Sequence, residues 1–174
     1  MSQLSLTKPI GLGLTVLLLA CSPSPSVSQS PASPNPVAAS PSSNANGGQV
    51  LPITAQAEMA GQRIQLEVAQ TPEQQEMGLM HRPPLPDDRG MLFPFNPPRQ
   101  VRFWMENTPS PLDMVFLYQG VVKDIAANVP PCTTHPCPTY GPWTEIDQVI
   151  ELRSGRAAEL GLKVGDRVTV QFLR

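Results

Sequence analysis

Apolar positions fall into three regimes along the chain. Ile10 to Ala20 is almost wholly apolar, with Lys8 the only charge ahead of it. Ser22 to about Gln49 shows no periodicity at all. From Ile53 onward the pattern of a folded domain sets in. Ile64, Leu66 and Val68 alternate with Arg63, Gln65 and Glu67, the period of a strand with one buried face. Thr71-Pro72-Glu73-Gln74 then predicts a helix start, with Thr71 as N-cap, Pro72 in the first turn and Gln74 completing a capping box; Gly78 stops the helix after about two turns. Pro83, Pro84 and Pro86 with Asp87, Asp88 and Gly90 predict a rigid loop. Met91-Leu92-Phe93 and Val101 to Met105 are expected as short separate strands, because Pro94, Pro97 and Pro98 lie between them. Leu112 to Tyr118 and Val121 to Ile125 form a hairpin about Gln119-Gly120. Pro130 to Pro142 is a loop, and Ile146 to Leu152 a strand. Ser154 caps a short helix that Gly161 ends, and Arg167 to Leu173 is a last strand with Val168, Val170 and Phe172 on one face. Seven or so short strands and two small helices predict a mainly β, compact single domain, either a barrel or a sandwich.

The first regime has its own meaning. Its apolar core of about eleven residues is too short for the roughly 20 that a spanning helix needs. It fits the hydrophobic region of a signal peptide. Leu18-Leu19-Ala20-Cys21 closes it in the form of a lipobox, which an ordinary cleaved signal does not require. Cleavage before Cys21 and acylation of that residue are expected. Residues 1–20 are then a lipoprotein signal peptide and the remainder is anchored to a membrane outside the cytoplasm, on the periplasmic or extracellular face of the cell envelope. Two or three acyl chains hold such a protein stably where one does not.

Composition changes the picture in two places. Between Lys8 and Glu58 there is no Asp, Glu, Lys or Arg, and residues 21–52 are dominated by Ser, Pro, Ala and Asn. Such a stretch buries too little apolar area to offset its ordering entropy, so it reads as a disordered tether reaching at most roughly 90 Å in polyproline II geometry. Residues 53–174 make the β-rich domain. The 12 basic and 14 acidic residues give no basic stripe, which argues against a nucleic-acid partner.

Several short runs in the domain carry a resemblance. Gly78-Leu79-Met80-His81-Arg82, Gly90-Met91-Leu92-Phe93, Phe103 to Thr108, Leu112-Asp113 and Glu151-Leu152 followed by Gly155 stand in order and at suitable spacing from about Ile53 to the C-terminus. In these the chain resembles the bacterial and archaeal domain-of-unknown-function family 192. The resemblance implies a compact β-rich fold, often secreted, and implies no activity. His81 and Glu106 depart from the family's usual aromatic and basic residues.

Three groups of residues could carry chemistry. Cys132 and Cys137, the even pair left once Cys21 is acylated, are expected as a disulfide in an oxidising compartment. A metal site with His135 between two thiolates is the alternative, and it lacks a fourth ligand. Met77, Met80 and His81 could bind Cu(I) through soft ligands, although methionine more often fills gaps in a core. Asp113 opens the most apolar strand, where a carboxylate must be hydrogen-bonded or paired. Arg82, Arg102, Asn107 and Thr108 are the polar residues expected to meet it, either to cap a turn or to line a pocket walled by Trp104 and Trp143. No cofactor is called for. The expected function is binding of a small ligand or an envelope protein partner by a lipid-anchored domain. The alternatives are a hydrolase or lyase acting on an envelope polymer with Asp113 as acid or base, and a Cu(I)-binding protein.

Overall fold

In the computed structural model, residues 42–174 are described. The expected signal peptide, Cys21 and most of the tether lie outside them. Seven strands make one sheet: β3 (Ile53–Met59), β4 (Gln62–Val68), β5 (Arg89–Arg99), β6 (Leu112–Tyr118), β7 (Val121–Val129), β8 (Ile146–Arg153) and β9 (Thr169–Phe172), in the spatial order β7-β6-β8-β5-β4-β3-β9. A two-stranded ladder, β1 (Ser42–Ser43) and β2 (Gln49–Val50), and two short helices, α1 (Pro72–Met77) and α2 (Arg156–Glu159), complete it. All pairs in the large sheet are antiparallel except β4–β5, whose connection carries α1. The sheet does not close into a barrel. Arg167, just ahead of β9, bridges Val121 at the start of β7, and the form is sandwich-like. Among the described residues no helix is long and apolar enough to cross a membrane.

The central strands are apolar on both faces because both are covered. On one face Leu92, Val115, Leu117, Ile150 and Leu152 pack with Ala157, Leu160 and Leu162 of α2 and the residues after it. On the other, Met91, Phe93, Met114, Phe116 and Val149 pack beneath Leu79, Val101 and Met105 from the long connections. The sheet therefore separates two cores, and what lies on one face is shielded from the other.

Three local expectations are corrected. Met91-Leu92-Phe93 is not a strand of its own: β5 runs on through the prolines to Arg99. It pairs with β8 from Met91 to Pro94 and again at Arg99, with an irregularity between, so Pro97 and Pro98, which have no N–H, stand where the ladder is interrupted. Val101 to Met105 is not a strand, and only Phe103 bridges, to Tyr140. Ser154 does not cap α2. The N-cap is Gly155 at φ +80° with no side-chain bond of its own, and Ser154 Oγ instead meets Asn128 Oδ1 at 2.6 Å. The hairpin about Gln119-Gly120 has φ of +51° and +69° at its two loop residues, the twist that suits flanking antiparallel strands. The Thr71 capping box is present in full.

The expected tether ran to residue 52, but its last residues pack on the domain. Leu51 is buried, its N–H donates to Glu67 Oε2 at 2.8 Å, and Gln49 Nε2 donates to the carbonyls of Gln74 and Gly78 at 2.7 and 3.0 Å. These last two bonds hold the C-terminal end of α1. Gln75 Nε2 holds its outer side by donating to Pro94 O at 2.9 Å and Ala69 O at 3.2 Å. A helix of six residues cannot stand by propensity alone. These side-chain bonds fix where it lies.

Candidate functional site

α1 so held, the start of the 78–82 turn, the end of β5 and residues 100–108 enclose a cavity of about 570 Å³. Its apolar wall comes from Leu79, Phe93, Phe95, Val101 and Phe103, with Met77 and Met80 on the α1 side and Trp104 at the mouth. Phe103 sits edge-on to three rings: Phe93 at 5.1 Å, Phe116 at 6.0 Å and Phe95 at 6.4 Å between centroids. Such edge-to-face packing fixes the wall before any ligand arrives. Glu76, Gln100, Arg99, Arg102 and Thr108 supply its polar lining. A second, shallower hollow of about 460 Å³ shares Glu76, Met77, Met80 and Trp104 and adds Glu73, Glu106 and Asn107.

Glu151 also lines the cavity. It lies mid-way along β8, opposite Met91 of β5 on one side and Met114 of β6 on the other. It is 4% exposed, and its Oε2 has no hydrogen-bond partner among the described residues. Burial alone pushes its carboxyl up to about 8, with no charged group opposing the shift. Gly90 permits the close approach of β5 here, since a Cβ at that position would stand 2.9 Å from the Glu151 carbonyl oxygen. The same sheet row continues through Met91 to Glu67, and the contrast is instructive. Glu67 is buried too, but Arg82 forks onto its two oxygens at 2.9 and 3.0 Å. Glu151 has no such cation.

The residues expected to meet Asp113 do not converge on it. Arg82 pairs with Glu67. Arg102 bonds to Thr139 and to the Gly141 carbonyl, and stacks over the Trp143 ring at 4.9 Å. Thr108 Oγ1 donates to Glu106 O at 3.1 Å, while Asn107, at φ +51°, accepts at its carbonyl from the His81 N–H at 2.8 Å. Asp113 itself is fully buried on the α2 face of the sheet. Its carboxylate accepts from three backbone N–H groups: Asn128 at 2.7 Å, Gly155 at 3.1 Å and Ala157 at 2.8 Å. It thus caps α2 from β6, in place of Ser154. An acid or base needs to reach a substrate, and Asp113 is enclosed on the face opposite the cavity.

Of the expected aromatic wall, Trp104 lines the cavity and Trp143 is 82% exposed and outside it. Cys132 and Cys137 are joined in a disulfide, which leaves no thiolate for a metal beside His135. Met77 and Met80 face the cavity, but His81 is exposed and not part of its lining.

Sequence reasoning missed Glu151 as a site residue. A signal for it exists in the chain: within Val149-Ile150-Glu151-Leu152 an ionisable residue stands at an inward position of a strand apolar on both sides. Nothing in the sequence marks it as lacking a counter-ion.

The sequence profile of a family described as Uncharacterized ACR, domain of unknown function 192, matches residues 53–170. A solved protein of unknown function from Novosphingobium aromaticivorans DSM 12444 is similar at 35% identity over 76% of this chain and 94% of that one, with a TM-score of 0.60. A solved protein of Sinorhizobium meliloti 1021, described as a candidate transcription regulator, is similar at 33% identity over 67% of this chain and 91% of that one, with a TM-score of 0.59. No curated protein matches.

Proposed function

The chain belongs to domain-of-unknown-function family 192, and within that fold we propose that it binds a small ligand in the cavity floored by Glu151. The observation that carries this is the buried carboxyl of Glu151, whose Oε2 has no hydrogen-bond partner among the described residues, set in the floor of a preformed aromatic and thioether-walled cavity. Leaving such a group unsatisfied costs about 1–3 kcal/mol, and a fold that needed only packing would place an apolar residue there. The volume, about 570 Å³, lies in the range of small-molecule sites, roughly 300–1,000 Å³. Trp104 offers a direct readout. In a Trp143→Phe background, titration with a panel of small aromatic and aliphatic compounds of differing charge should change Trp104 emission, and Met80→Trp, which fills the mouth, should abolish binding detected by ligand-observed NMR. Binding unaffected by Met80→Trp would place the ligand elsewhere.

The leader and tether put this domain at a membrane outside the cytoplasm. The support is the sequence itself: a short apolar core closed by Leu18-Leu19-Ala20-Cys21, then a charge-free Pro/Ser-rich stretch. Mass spectrometry of protein from a bacterial membrane fraction should find Cys21 as the N-terminal residue, carrying acyl chains. Cys21→Ser should release the domain into the soluble fraction. A mature N-terminus elsewhere in the chain would refute the anchor.

A further inference from the structure

The charges around the cavity are not balanced. Glu151 lies at its floor and Glu76 at its rim, and Glu73 and Glu106 line the adjoining hollow. Glu151 is uncharged before a cation arrives, so three carboxylates stand against two guanidinium groups, each of which is held by neutral partners. Arg99 stacks on the Phe95 ring at 4.9 Å, and Arg102 is held by Thr139, Gly141 and Trp143. The wall between rim and floor is made of aromatic rings and methionine thioethers. Ring faces carry negative quadrupoles that attract cations, and thioethers are polarisable and adapt to what they touch. Acid at the mouth, rings and thioethers along the wall and a carboxyl whose Oε2 lacks a donor at the end are the groups that a cation would meet.

Resting on the ligand-binding reading above, we propose that the cavity recognises a protonated primary amine carried on an apolar body, with the Glu151 carboxylate as its counter-ion at the floor. A primary ammonium is favoured over a quaternary one because it has N–H groups to donate to the carboxylate. The apolar body replaces water against Phe93, Phe103 and Leu79. The proton balance is closed. Glu151 enters as the neutral acid, its O–H proton leaves to solvent as the ammonium arrives, and the complex holds one carboxylate and one ammonium.

This makes binding pH-dependent in a defined direction. The charged groups facing the cavity are Glu76 from α1, Arg99 from β5 and Arg102 from the following segment. On the sheet, Glu151 has Met91 and Met114 beside it, and Glu67 beyond Met91 is neutralised by Arg82. The coupled group is therefore Glu151, whose carboxyl burial holds up to about 8. Since only its ionised form pairs with the ammonium, apparent affinity should rise about tenfold per pH unit from pH 6 toward 8. It should fall again as the amine itself loses its proton near about pH 10.

The test uses three compounds of similar shape on the full-length protein: phenethylammonium, its alcohol counterpart 2-phenylethanol, and the anion 3-phenylpropanoate. The ammonium should bind tightest, and calorimetry in two buffers of different ionisation enthalpy should find about one proton released at pH 7. Glu151→Gln, which keeps the shape, should weaken the ammonium about tenfold or more and flatten its pH profile. Glu76→Gln with Glu106→Gln, at exposed or half-buried positions where folding is not at stake, should slow association and reduce its salt dependence. If the alcohol or the anion binds as tightly as the ammonium and Met80→Trp blocks it, the cation assignment is overturned and the ligand-binding reading stands. If none of the three, nor any member of the wider panel, binds, both are overturned.

Discussion

Glu151→Gln should make the protein more stable above pH 7, and the gain should shrink to nothing toward pH 4.5. In the unfolded chain this glutamate titrates near 4.5, and in the folded protein burial raises it to about 8. Between those values the folded state holds a proton that the unfolded state has lost, so stability falls as pH rises, by about 1.4 kcal/mol per unit. The contribution is complete below pH 4.5 and lost once pH passes 8. The full window sets an upper bound on the order of 5 kcal/mol, and relaxation or water entry lowers it to a few. Gln cannot ionise, and at low pH it resembles the protonated acid in being neutral and without a partner. Its stability curve should therefore be flat where the parent's descends. A gap in Tm of about 5–10 °C is expected at pH 8, narrowing to about a degree or two by pH 5. Other carboxyls act elsewhere on the scale. Glu73 is held low by a backbone hydrogen bond, and Asp87 and Glu159 by hydrogen bonds from Arg153, so their stabilising effect is lost only as pH falls below the ordinary carboxylate range. Parallel thermal-denaturation curves for parent and variant from pH 5 to 9 would mean that Glu151 ionises freely, and would remove the physical basis of the site.

How far the sequence disclosed this arrangement depended on whether a feature is local. The Thr71 capping box and the Gln119-Gly120 hairpin are decided within a few residues, and they are where the pattern puts them; in β4 Ile64, Leu66 and Val68 point inward as expected, but Glu67 on the other face is buried too. The prolines of β5 predict a break after Phe93, whereas a strand can pass through prolines where its ladder is already interrupted, as at Pro97 and Pro98. The site was harder. Val149-Ile150-Glu151-Leu152 shows an acid inside an apolar strand, as Leu112-Asp113-Met114 does. The two differ only in what lies opposite, which chain order does not reveal. Asp113 meets three N–H groups from residues 15 to 44 positions away, and Glu151 meets two methionines. Arg82 is expected from the sequence to meet Asp113, but its partner is Glu67, two strands from Glu151 on the same sheet row.

Asp113→Ala should be among the most damaging single changes in the domain, and it should leave the cavity intact. The carboxylate is the cap of α2: Oδ1 accepts from Asn128 and Gly155, Oδ2 from Ala157. Alanine orphans all three donors at once. The Ala157 donor is fully buried, so the desolvation cost there is not recovered from water, and the set is expected to cost about 3–5 kcal/mol. A loss of that size lowers Tm by about 10 °C or more in a domain of this length. Asp113→Asn keeps one acceptor oxygen and turns an amide donor toward the other site, so it should fall between parent and alanine. The damage should be local in hydrogen exchange, with the Gly155 and Ala157 amides losing protection first as α2 detaches from Leu117, Ile150 and Leu152 beneath it. Glu151 lies on the opposite face of the same sheet, with the strand backbones between. Asp113→Ala and Glu151→Gln should therefore add without coupling, within about 0.5 kcal/mol, and compounds that bind the cavity should bind the folded Asp113→Asn variant with unchanged affinity. A strong coupling between the two carboxyls, or loss of binding in that variant while it remains folded, would show that the two faces of the sheet form one site and that the separation of cap from cavity is wrong.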